Sequence, residues 1–131
     1  GHYPGTGRPG RGNFVLLAHA SGQVDLPFNQ LFELAAGDEI RITYGGRDYV
    51  YRWYEGRVVR DTEVWILDST PYALLTAFVC CAEDGRPSPT FHPPYRYVVH
   101  ASLTASSPRG VRPERRQKMS RFGPDPVTCV P

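Results

Sequence analysis

Glycine and proline interrupt this chain so often that its apolar residues are confined to short runs, and short runs between turns favour strands over helices. Each occurs 13 times in 131 residues, above ordinary usage, so the fold class is constrained before any motif is considered. A chain of this length makes one domain with a real core and little surface to spare.

Residues 1–12 are glycine and proline punctuation and predict a loop with little core content. Residues 13–20 (NFVLLAHA) form an apolar run bounded by turn signals, hence a buried strand, and 21–27 a polar loop. Phe28, Leu31, Phe32 and Ala35 fall at helical spacing before Gly37, predicting the one convincing helix over 28–36. Residues 38–44 alternate Ile40, Ile42 and Tyr44 with charge; Gly45-Gly46 marks a tight turn, and 48–54 returns as the second arm of a hairpin. Val58-Val59 and 64–67 read as further short strands, 72–81 as a long apolar run, 83–94 as a loop and 96–103 as a final strand. Six or seven short strands with one small helix predict a mainly β domain, a closed or nearly closed barrel over residues 1–104.

Net charge is +2, too near neutral to imply a polyanion partner, but it is unevenly placed. Residues 105–131 hold six of the fifteen Lys/Arg and two of the thirteen Asp/Glu. This basic, proline-rich segment is expected to be a disordered or loosely packed tail. It lacks interleaved aromatics apart from Phe122, which argues against nucleic acid and leaves an anionic surface as the alternative partner. No apolar run approaches the roughly 20 residues that span a bilayer. The opening Gly1-His2-Tyr3-Pro4 lacks an initiator Met and reads as a cut terminus, so a missing anchor is uninformative. Three cysteines make no disulfide framework, and their spacing is compatible with reduced thiols.

Chemistry concentrates at three strand ends. His19 closes the first apolar run, Cys80 closes the long one and Arg96 opens the last. A thiol, an imidazole and a guanidinium suffice for covalent acyl transfer: nucleophile, proton carrier and fixed cation for a developing oxyanion. No helix start lies behind Cys80, so its ionisation must come from nearby cations. Reference pKa values of about 8.5 and 6.5 leave only ~1% of a Cys–His pair as thiolate–imidazolium at pH 7. Each residue also has a plain structural reading, because buried Cys and strand His usually serve packing, and spacing alone does not bring the three together.

The segments resemble the sortases, nearest to the class E group of actinobacteria. Residues 1–6 (GHYPGT), then Pro9-Gly10, Gly12-Asn13-Phe14 and Ala18-His19, resemble the run before the family's catalytic His. Phe28, Leu31, Leu34 and Gly37-Asp38-Glu39-Ile40 resemble its helix and following strand. Residues 75–80 (LTAFVC) are similar to the strand ending in its Cys, and 96–101 (RYVVHA) to the strand opening on its Arg. The resemblance implies an eight-stranded barrel, here incomplete at its N-terminus, with His19, Cys80 and Arg96 catalytic. It implies cleavage of an LAxTG- or LPxTG-like sorting signal between Thr and Gly, and transfer to an amine of a cell-wall precursor or pilin. It places the protein on the outer face of a Gram-positive membrane, with no cofactor or metal. Thr76 and Val79, the latter where the family carries Thr, are the implied substrate-side residues. Alternation along the strand selects Cys80 over Cys81, since Thr76 and Cys80 share a face.

Other arrangements use the same residues. Cys80 with His92 or His100 would suit a papain-like peptidase; Cys80, Cys81, His92 and His100 would make a zinc set, against which adjacent cysteines argue. A degenerate or truncated sortase-like domain that only binds peptide is the non-enzymatic alternative.

Overall fold

The computed structural model describes residues 1–19, 27–90 and 93–109. Five strands, β1 (Asn13–Ala18), β2 (Glu39–Tyr44), β3 (Arg47–Arg60), β4 (Leu74–Cys81) and β5 (Tyr95–Pro108), form one sheet in the order β1-β4-β5-β3-β2. Only β1 and β4 pair in parallel; the other neighbours are antiparallel. Mainly β is therefore the observed class. Among the described residues the sheet is open, with β1 and β2 at its edges, so the five strands form part of a barrel rather than a closed one.

β1 and β4 read as unbroken apolar runs because both of their faces are covered, and every residue of β4 is buried. On one face Phe14, Leu16, Leu75, Ala77, Val79 and Val99 pack with Ile40, Ile42 and the fully buried Tyr51. The opposite face carries a smaller cluster of Val15, Leu17, Val59, Ile66, Phe78 and Val98. The β2–β3 hairpin turns on Gly45 and Gly46, whose φ values of 59° and 75° suit a two-residue turn that other residues adopt with strain. Register shifts at Val50/Tyr51 and Trp53/Glu55 break the long β3–β5 pairing, and such bulges bend and twist a strand pair.

Five expectations change. The helix is a 3-10 turn, Pro27–Glu33, in place of an α-helix over 28–36. Phe28 and Leu31 in the helix and Leu34 just past its end, three apart, are buried, and a 3.0-residue period aligns Phe28 and Leu31 on one line. Residues 64–67 are a second 3-10 helix, Val64–Leu67, not a strand. Val58-Val59 belong to the single long β3. The opening loop contributes to the sheet after all: Tyr3 N–H donates to Val15 O and Leu17 N–H to Gly1 O, both at 2.9 Å, lining the outer edge of β1. β5 continues past Thr104 to Pro108, while residues 110–131, most of the expected tail, lie outside the described residues.

Candidate active site

Cys80 and Arg96 are directly paired across β4 and β5, so their side chains leave the same face of the sheet. In the parallel β1–β4 pair, Ala18 partners Val79, and His19 follows just past the end of β1. Topology thus pairs Cys80 with Arg96 and puts His19 one residue beyond the end of the strand next to Cys80. That register is what the sequence alone could not supply.

Burial differs among them. Cys80 and Arg96 are 5% and 3% exposed, whereas His19 is half-buried at the strand end. The Arg96 Nη1 donates to Pro93 O (2.7 Å) and Tyr95 O (2.9 Å), fixing the guanidinium plane. Burial pushes its pKa down and Asp61 pulls it back up; a guanidinium starting so high remains a cation. The Cys80 sulfur is in a disulfide, so its chemistry requires reduction first. Cys81 is free and buried, and burial pushes its thiol up to about 11, with Arg96 only partly opposing. Between adjacent cysteines, the environment disfavours ionisation of Cys81.

The two implied substrate-side residues are placed elsewhere. Val79 is fully buried on the face opposite Cys80, within the larger core cluster, because strand residues alternate. Thr76 shares the face of Cys80 but is fully buried, and its hydroxyl donates to Asn13 Oδ1 at 2.6 Å. Asn13 in turn donates from Nδ2 to Ile66 O (3.0 Å) and Asp68 O (2.9 Å), tethering the second 3-10 helix over this face. Between that helix and the sheet lies a mainly apolar cleft of about 120 Å³ lined by Tyr3, Ile66, Leu67, Phe78 and Arg96. Phe78 and the cleft were not anticipated; the alternation that selected Cys80 already put Phe78 on its face.

His100 pairs with Thr76, four residues from the Cys80–Arg96 pair, or about 13 Å along the strand. It is therefore no partner for Cys80, and His92 lies outside the described residues. Cys80 and Cys81 point to opposite faces, which removes the zinc arrangement. His100 instead bonds through Nδ1 to Glu55 Oε2 at 3.0 Å, with the Tyr54 and Trp65 rings nearby. Burial lowers its pKa, and the Glu55 carboxylate partly restores it.

A single mainly antiparallel sheet with one parallel pair, and a cysteine paired with an arginine across β4 and β5, defines a mainly β protein with a thiol and a guanidinium on one face. A family model described as the sortase domain matches residues 1–104, and the chain belongs to the sortase family. Sortase A of Listeria monocytogenes is 30% identical over 71 residues, covering 54% of this chain and 32% of that protein. This chain therefore spans about a third of the length of that curated relative. The solved structure of Listeria monocytogenes sortase A has a TM-score of 0.68 at 25% identity over 78% of this chain and 66% of that one. A sortase E variant from Streptomyces avermitilis gives 0.67 at 28% identity over 86% and 73%. Sortase E1 from Streptomyces coelicolor, solved with a tripeptide in its active site, shares the fold at 24% identity and TM-score 0.69, over 86% of this chain and 75% of that one.

Proposed function

We propose that this domain is a cysteine transpeptidase that acts through Cys80, His19 and Arg96. The observation that supports the reading most is the direct pairing of Cys80 with Arg96 across β4 and β5, with His19 just past the neighbouring end of β1. The reduced Cys80 thiolate attacks the carbonyl carbon of the Thr in an LAxTG- or LPxTG-like signal. Arg96 donates a hydrogen bond to the oxyanion, and His19 as imidazolium protonates the departing Gly amine as the C–N bond breaks. An acceptor amine of a cell-wall precursor or pilin then attacks the thioester. His19 takes its proton, the new amide forms and the thiolate leaves.

The apolar cleft beside Phe78 and Ile66 suits a side chain of the signal upstream of the Thr, ending at the fixed Arg96 charge. A disulfide at Cys80 is compatible with an oxidising compartment, in keeping with the outer face of a Gram-positive, actinobacterial cell. No helix among the described residues is long and apolar enough to cross a membrane. A binding-only domain is the second reading, favoured by the one observation that the Cys80 sulfur is already bonded.

The test is labelling of the reduced protein with a vinyl sulfone built on the sorting peptide, read by intact mass. One adduct on Cys80 that is lost in His19→Ala and Arg96→Ala supports the enzyme. Peptide binding without an adduct supports the inert domain.

A further inference from the structure

At the opposite end of the sheet from Cys80, two arginines face solvent with no counter-charge paired to them among the described residues. Arg8 N–H donates to Arg11 O (3.0 Å) and Arg11 N–H to Arg8 O (2.8 Å), closing a two-residue hairpin over Pro9 and Gly10. Residues paired this way project their side chains from one face, with Cα atoms about 5.5 Å apart. Like charges directly opposite each other destabilise a strand pair. Both residues are nonetheless Arg, both are exposed, and neither forms an ion pair with any carboxylate among the described residues.

The hairpin is held rigidly. Gly10, at φ 80°, donates its N–H to the hydroxyl of the fully buried Tyr51 at 2.7 Å. A Cβ on Gly10 would come within 2.6 Å of the Tyr49 ring, so the turn lies against the sheet. Beside it opens a pocket of about 420 Å³ lined by Arg8, Arg11, Thr6, Ser69 and Thr70, with bare backbone at Gly7 and Gly12. A Cβ on Gly7 would meet Arg11 O at 2.4 Å. The Thr6 and Thr70 hydroxyls already donate to Tyr3 O and Tyr72 O, both at 2.7 Å, which leaves the Ser69 hydroxyl as the donor to add to the guanidiniums. The pocket begins where β1 begins; Asn13 and Ala18 are five residues apart, about 17 Å, so it is separate from the thiol site.

We propose that the Arg8–Arg11 pocket is a binding site for a phosphate group, held by two guanidinium forks and the Ser69 hydroxyl. Two cations match a group carrying about −1.5 to −2 at pH 7, and guanidinium forks suit its oxygens. Relief of the repulsion between Arg8 and Arg11 adds to the attraction. The phosphate could be free or esterified to a small polyol, and the pocket volume admits either.

The test is a ¹H–¹⁵N titration of the full chain at constant ionic strength with inorganic phosphate, with glycerol 3-phosphate, and with chloride as control. Saturable shifts confined to the amides of Gly7, Arg8, Arg11, Gly12, Ser69 and Thr70 are expected with phosphate and not with chloride. Charge-assisted hydrogen bonds contribute enough that R8Q or R11Q should weaken binding about tenfold, and the double variant abolish saturation. Unchanged resonances in β3, β4 and β5 verify that the variants fold. Equal affinity for the two probes identifies free phosphate as the ligand, and tighter glycerol 3-phosphate identifies an ester. Shifts that are linear, equal in chloride or undiminished in R8Q and R11Q overturn the proposal.

Discussion

Replacing Asn13 with Ala should be among the most destabilising changes available near the site, without touching any reacting group. Its side chain makes three hydrogen bonds, to Ile66 O, Asp68 O and Thr76 Oγ1, and is 3% exposed. Each such bond contributes about 1 kcal/mol net, and a buried group left unmet costs about 1–3 kcal/mol. The Asp68 contact is only partly buried, so its carbonyl can recover water, whereas the Thr76 hydroxyl cannot. Asn13→Ala should therefore cost about 3 kcal/mol, within a range of about 2–5. Thr76→Val keeps the shape and loses one bond, leaving Asn13 Oδ1 unmet, for about 1–2 kcal/mol. The double variant should fall short of the sum by about 1 kcal/mol, since the residues share a bond. Equilibrium urea denaturation of the reduced protein, followed by fluorescence of Trp53 and Trp65, measures all three. A cost for Asn13→Ala below about 0.5 kcal/mol, or equal costs for the two single variants, would refute the tether. Because the same bonds hold Ile66 over the cleft, Asn13→Ala should also raise KM for the sorting peptide more than it lowers kcat.

Three further outcomes follow from the geometry. Arg96→Lys keeps a charge but loses the planar fork, and turnover of a sorting-signal peptide should drop about 10²–10³-fold with KM little changed. Peptide turnover should require reductant, because the Cys80 sulfur is bonded in a disulfide. In the reduced protein iodoacetamide at pH 8 should modify Cys80 and spare Cys81, whose thiol lies at about 11; mapping by peptide mass decides it. His100 has a folded pKa below its unfolded value, so its contribution to stability is complete above about pH 6.5 and is lost as pH falls through the folded value. An NMR titration of its ring should give a midpoint under 6.5, moved lower still by Glu55→Gln.

Much of the sheet was legible because its signals are local. The β1 and β4 runs are apolar throughout, and Gly45-Gly46 can make little other than a tight hairpin. What escaped depended on distant partners. Residues 64–67 look like a strand by β-branching, yet Asn13, far upstream, bonds their backbone and Glu63 accepts from Arg60 N–H, which together favour a helical turn. Gly56 reads as a break in β3. It is instead a place where the Tyr97 hydroxyl comes within 2.5 Å of where a Cβ would sit, so the strand continues through it. The same holds at the site. Cys80 over Cys81 follows from alternation, but the pairing with Arg96 is a property of register, and the Glu55–His100 bond joins residues 45 apart.

A crystal structure of the reduced protein trapped with a peptide aldehyde carrying the sorting signal tests the central claim most directly. A hemithioacetal on Cys80 is expected, its oxygen accepting a hydrogen bond from Arg96 at about 3 Å, with the His19 ring within about 4 Å of the sulfur. An adduct on Cys81, or one on Cys80 from which both His19 and Arg96 turn away, would contradict it.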